Sequence, residues 1–488
     1  MVRQKLFMPP RELLGRFTQP GDCGAIADWV QAIPSERLGV SLDMLCYGGL
    51  VASRAPSAEL TTALARLNAL RELRQRRPNA IVFAFSTIMR LGETVARTAD
   101  LGEHALLRAY SQLLDRVERL GETEARGELE KTQRELDPER LAQYMAVRRR
   151  NHAVNRAAVE LVAEGVLDHL ILAQEDAAPV GIHLPEQLAL STLIEEHRVG
   201  DRVAITCGAD EMTMLLLARH VTAETGLTPG IAVDLAAEGG GDVVPAFESQ
   251  PLRDTILEHI HLSGARPATP ADGDAILFIH TPIGAQPDIA EAPPPGQSPT
   301  LALQAETVVE RVEAASSAGR LVGLADVAYC NGSDPELIGA LERRHALDRM
   351  SAFAGWNTAA NTLGTVISQL CVIAAAPRGR VDQAAVRRFL ASRLLDDHGY
   401  QSVARREAIQ HATAIGADPF CLGESSAELE AFVNRQLEPL AHRYLSSLIP
   451  DGTADAGSLR FSLPWGRLFE VEIGLGSTEI ADGPKNLQ

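Results

Sequence analysis

Residues 167–187 read LDHLILAQEDAAPVGIHLPEQ, and this stretch decides the fold. Leu170 to Ala173 is an apolar run of the length of a buried strand. Two adjacent acids, Glu175 and Asp176, stand at its end. Pro179, Gly181 and His183 follow, and then a polar helix start. Ligands of open α/β sheets bind outside the carboxyl ends of the strands. A strand end in a core is a poor place for unpaired charge, so two acids there read as a site.

The same strand-then-helix rhythm runs outward in both directions. Before the stretch, strands are expected at Lys5–Met8, Leu38–Leu45 and Ala80–Ser86, with an amphipathic helix over Ala58–Arg76. A helical insertion rich in Arg, Glu and Leu covers 102–164 and breaks at Asp137-Pro138. After the stretch, strands are expected at Val203–Cys207, Ile231–Leu235, Ala265–Ala268, Ala275–His280, Leu321–Tyr329 and Met350–Ala354, alternating with helices. Such alternation means α/β with parallel sheet. The strands outnumber those of an eight-stranded barrel, and the pattern restarts near Gly230. The expected architecture is two doubly wound, mainly parallel domains, 1–225 and 226–379, facing a shared cleft. A mostly helical region, 380–488, packs back on them and ends in a strand-like segment, Leu468–Ile473. A decorated β/α barrel is the alternative.

Composition narrows the function. A net charge of −18 argues against non-specific binding to a phosphate backbone and against docking on an anionic membrane. Aromatic residues are only 4%, too few for a single-strand stacking platform. The six cysteines form no C-x-x-C pair, which fits free thiols in a reducing cytoplasm. Pro9 and Pro10 cut off the only apolar run near the start, and no apolar stretch reaches the roughly 20 residues of a membrane helix. No G-x-G-x-x-G follows a strand, no Walker lysine is present, and Gly239–Gly241 runs into Asp242 with no basic residue nearby. No cofactor is therefore expected. A G-x-S-x-G nucleophile elbow is missing as well.

An ordered set of motifs spans nearly the whole chain: PPRELLG (9–15), LDMLCYGGLVASR (42–54), NHAVN (151–155), the acid pair with its Pro and Gly, and GADE (208–211). It continues with LADVAYCNGSD (324–334), FAGWNTAANTLGT (353–365), RLLDDHGYQ (393–401) and LPWGRLFE (463–470). In these the chain resembles the bacterial domain of unknown function 4127 family. Members of that family usually carry two Asp where Glu175-Asp176 stands, and an aromatic residue in place of Val180. They usually begin with an extra strand ending in Asp-Glu-Arg-Pro. By that resemblance a central strand between the Lys5 and Leu38 strands would be missing. The expectation is that the natural product starts upstream of Met1 and that the form beginning at Met1 is inactive or unstable.

Two neighbouring carboxylates push one another's pKa values apart and can supply an acid and a base at neutral pH. Glu175-Asp176 is similar in this to the acid pairs of hexosaminidases that use the substrate's own acetamido group; a pair of helix-capping acids is the plainer reading. Other polar sets stand at further expected strand ends. They are Asp43 and Tyr47 with Arg54; Asp210 and Glu211 at the start of a helix; Asp326, Asn331 and Asp334; and Trp356, Asn357 and Asn361. Asn357 and Asn361 are spaced for one helical face. Asn151, Asn155 and His183 complete the candidates. Amides, acids and an indole suit a polyhydroxylated ligand, whereas helix caps and core packing are the alternatives for each.

The expectation for function is a cytoplasmic hydrolase of a small amino-sugar-type glycoside, with Glu175 and Asp176 catalytic and a small carbohydrate as partner. A metal-dependent C–N hydrolase is a second possibility, drawing on Asp43, His152, Asp176, His183 and His280; their spacing forms no metal-ligand motif, and no metal is assigned. A two-lobed sensor of a polar metabolite is the third. If one site is shared, Asp43, Asp176, Asp210, Asp326 and Asn357 should line one cleft.

Overall fold

The main strands fall into two parallel sheets, one of four strands and one of five. The computed structural model describes residues 6–292, 296–377, 379–449, 459–474 and 481–482. The chain divides into two compact units. The first holds Lys5–Thr213 and Phe247–Ser249; the second holds Met214–Ala246 and Gln250–Thr478. Mainly parallel α/β architecture is thus present in both.

In the first unit the sheet order follows the chain: β1 (Arg37–Ser41), β2 (Ile81–Ile88), β3 (His169–Gln174), β4 (Val203–Cys207). All pairings are parallel. Every residue of β3 is buried, as expected of a strand covered on both faces. Leu170 and Leu172 pack with Val154, Ala158 and Leu161 of a long helix. β1 lies at the end of the order, and Phe7–Met8 pairs with Ala481–Asp482 instead of with it.

The strand expected over Leu38–Leu45 stops at Ser41, and Leu42–Tyr47 is a helix, α1. The alternation of Leu38, Val40 and Leu42 looks like a strand, but the Ser41 hydroxyl accepts from the Met44 amide at 3.2 Å and starts a helix. Gly48, in the left-handed region at φ +87°, ends it. Asp43 therefore sits in a helix's first turn.

The insertion consists of helices Leu101–Glu118 and Arg126–Glu135 and of α2 (Pro138–Ala163). The break falls where Asp137-Pro138 put it. Asp137 accepts from the Glu139 and Arg140 amides, and Pro138 opens the helix without needing a donor. Leu107, Leu113, Leu129 and Tyr144 of the insertion share a small core with Met89, Leu91, Ala178 and Ile182.

The second unit has the order β6-β5-β7-β8-β9, all parallel: β5 (Gly230–Leu235), β6 (Arg266–Ala268), β7 (Ala275–His280), β8 (Leu321–Asp326), β9 (Ala352–Ala354). Numbered within the unit this is 2-1-3-4-5, a common doubly wound order. The C-terminal helices belong here: Leu390, Tyr400, Leu437 and Tyr444 share a core with Phe278, Leu324 and Phe353. Leu394–Ala404 is wound as a π-helix. The strand-like segment expected over Leu468–Ile473 is shorter and later, Glu472–Gly474, paired antiparallel with Arg460–Ser462. Among the described residues no helix is long and apolar enough to cross a membrane.

Candidate functional site

At the carboxyl ends of β2 and β3, Arg90, Glu175 and Asp176 meet Arg54, which closes the short helix Leu50–Ser53. Arg54 grips Glu175 as a fork, with Nε donating to Oε2 at 3.2 Å and Nη2 to Oε1. Its Nη1 donates to the Thr94 hydroxyl at 3.0 Å. Arg90 donates through Nη2 to Asp176, and its Nη1 lies 3.9 Å from Glu175 Oε1. Glu175 is 5% exposed and Asp176 22%. Burial raises the Glu175 carboxyl above its ordinary range, outweighing Arg54 and Arg90, and the charges of Asp176 and Asp210 add to the rise. Burial likewise lowers Arg54. The two-contact fork still favours the ion pair, because each charge would otherwise be buried alone.

Sequence reasoning missed Arg90 and Thr94, which follow β2 in the loop MRLGET. A buried acid pair at one strand end calls for cations at the neighbouring one, and Arg90 was the available signal.

Asp43 is 2% exposed, and its Oδ2 accepts from the Thr87 amide at 3.0 Å and the Thr87 hydroxyl at 2.7 Å. Burial raises its carboxyl. Tyr47 lies under the Arg150 guanidinium, 4.4 Å from the ring centre. Arg150 and Asn151 both donate to the Ser53 carbonyl, at 2.5 and 2.9 Å, and so hold the turn that carries Arg54. Asn155 bridges the Ser86 hydroxyl and the Thr87 carbonyl. These amides position β2 and the Arg54 turn. His183 is fully buried, and burial pushes its ring down to about 3.

Asp210 is exposed, and Glu211 is fully buried with Oε2 accepting from the Ala209 amide at 3.1 Å. Gly208, at φ +112°, makes this turn possible. A Cβ there would lie 1.7 Å from Glu211 Oε1. Gly208→Ala is therefore expected to cost about 1–3 kcal/mol, read as a lowered midpoint of urea unfolding. Gly165→Ala is the control for the left-handed backbone alone, because φ is +75° and nothing lies within 4 Å.

In the second unit, Asp326, Asp334 and His280 form one buried network beyond β7 and β8. His280 Nε2 is 2.8 Å from Asp334 Oδ2, and the Asp334 amide donates to Asp326 Oδ2 at 2.7 Å. Asp334 also caps the helix Pro335–Arg343. The Gln304 side-chain nitrogen lies 3.3 Å from His280 Nδ1 and donates to the Thr281 carbonyl at 2.8 Å. Burial pulls the His280 ring down, but the Asp334 hydrogen bond and the charges of Asp326 and Asp334 raise it above its ordinary value. Asn331 bonds Asp288 and, through its amide, the Asn357 carbonyl. Trp356 donates to Thr365 and lies 5.1 Å from the Arg393 guanidinium.

The expectation that Asn357 and Asn361 share a helical face is corrected. The Thr358 hydroxyl caps a helix that starts at Ala359, and Asn357 stands before it in the left-handed region at φ 51°. Asp43, Asp176 and Asp210 belong to the first unit, Asp326 and Asn357 to the second. Among the described residues no three His, Cys, Asp or Glu side chains are gathered as a metal's donors would be.

A family model described as "Protein of unknown function (DUF4127)" matches residues 1–474. No curated protein matches the chain, and no solved structure does.

Proposed function

The chain belongs to the DUF4127 family, and on that footing we propose that it is a hydrolase of small amino-sugar-type glycosides. Glu175 and Asp176 act as its acid–base pair. One observation carries the reading: two adjacent carboxyls at one strand end have unequal surroundings. Glu175 is buried and held by the Arg54 fork, and once that fork opens burial favours its neutral, proton-donating form. Asp176 is more open and faces Arg90. Such a difference assigns the acid role to Glu175 and leaves Asp176 to orient the substrate or a water. Proton delivery requires one Glu175 oxygen to leave the Arg54 fork, so substrate binding and the Arg54 position are coupled. The cysteines are all free, which supports placing this activity in the cytoplasm.

The test is a panel of aryl glycosides, N-acetylglucosaminides included, with the parent protein, Glu175→Gln and Asp176→Asn. Loss of turnover in both variants is the expected result. Turnover unchanged in both removes the acids from the mechanism. Activity that disappears with chelator and returns with a divalent metal would instead favour the C–N hydrolase.

A further inference from the structure

A cavity of about 490 Å³ is lined in part by Arg54, the same side chain that holds Glu175. That volume lies within the ordinary range for small-molecule sites. Its wall includes Val51, Arg54, Glu93, Thr94, Arg140 and Gln143, all within the first unit. Arg54 is shared: Nε and Nη2 hold Glu175, and Nη1 holds Thr94 in the cavity wall. A ligand here is one guanidinium away from the acid pair.

Two arginines in a wall invite an anion, but both are already matched. Arg54 spends its fork on Glu175. Arg140 spends its fork on Glu93, with Nε donating to Oε2 at 3.1 Å and Nη2 to Oε1. Asp137 and Glu139 add two more carboxylates to the same lining. An entering anion would give up its hydration and meet more negative than positive groups. A neutral polyol meets the side chains of Thr18, Thr94 and Gln143, and an amine meets Glu139.

We infer that this cavity is the subsite for the part of the substrate remote from the bond being broken, and that it takes neutral or amine-bearing sugar units and rejects uronic or phosphorylated ones. Remote binding of this kind can drive the opening of the Arg54 fork. The link to bond cleavage rests on the Glu175–Asp176 reading; the binding preference does not.

The test is direct binding, by ligand-observed NMR, of N-acetylglucosamine, glucosamine, glucuronic acid and glucose 6-phosphate to the full chain. We expect the two anions to bind about tenfold more weakly or worse, a modest share of a unit charge's repulsion at close range. Gln143→Trp, at an exposed position on α2, should fill the cavity and abolish binding. Glu93→Gln removes the carboxylate that forks Arg140, leaving Asp100 3.8 Å away as its looser partner, and should bring glucuronic acid in. Anions binding as tightly as neutral sugars overturn the charge preference. Binding of none of the probes, or binding untouched by Gln143→Trp, overturns the location. If binding behaves as expected while Glu175→Gln and Asp176→Asn keep full turnover, the subsite stands and the catalytic reading falls.

Discussion

Replacing Arg54 with Met is expected to destabilise the protein by about 3–5 kcal/mol, because it leaves a buried carboxylate without its partner. Glu175 is 5% exposed and takes two contacts from Arg54; the remaining cation, Arg90, is 3.9 Å away and engaged with Asp176. The contrast is the Arg71–Glu164 fork, whose side chains are 34% and 44% exposed. Breaking that pair should cost about 1 kcal/mol or less, since water already screens it. A second substitution, Glu175→Gln in the Arg54→Met background, should recover much of the loss by removing the stranded charge. Guanidinium unfolding of the four proteins forms a double-mutant cycle. A cost for Arg54→Met no larger than that for the exposed pair would mean that the fork is not the buried ion pair described above.

The second expected result concerns pH. Burial pushes the Asp326 carboxyl up to about 7, against the opposing charge of His280 and with Asp334 adding to the rise. An unfolded Asp titrates near 3.9. Between these values the folded form holds a proton that the unfolded form has lost. The stabilisation is therefore complete below about pH 4 and disappears as pH rises through about 7. At roughly 1.4 kcal/mol per unit, the swing is of order 4 kcal/mol. Asp326→Asn carries no proton to lose, so its stability should stay flatter across this window. The measurement is urea unfolding of parent and variant at several values between pH 4 and 8, with the difference between them plotted. Parallel curves would show that Asp326 does not titrate there. The groups facing it are His280 and Asp334; His280 opposes the rise, so His280→Ala should move the midpoint of the transition to higher pH.

Much of the fold was legible in local pattern. The apolar runs at 170–173, 203–207 and 275–280 pointed to strands, because they are short and bounded by turn residues, and all three are strands. Asp137-Pro138 marked a helix start because a capping acid and a proline without an amide donor are both local devices. Even the misreadings at Leu42–Leu45 and Asn357 trace to local signals, the Ser41 and Thr358 caps, which were present and underweighted against periodicity. The sequence also located the acid pair, because a strand end is recognisable from its own residues.

What the acids are doing there was decided only in three dimensions. Arg54 lies 121 positions from Glu175, and Arg90 86 from Asp176; no pattern of neighbours in the chain reports such distances. The same holds for Asn151 and Asn155, which looked like ligand-binding amides and turn out to hold the Ser53 and Thr87 carbonyls. It holds for His280, which gains its meaning from Asp334 across 54 positions. Secondary structure follows from sterics, caps and apolar spacing within a few residues. The charge state and accessibility of a side chain follow from what the rest of the chain packs around it. That is why the sequence could place two carboxyls at a strand end, and only the tertiary structure could bury one, open the other and match each to its arginine.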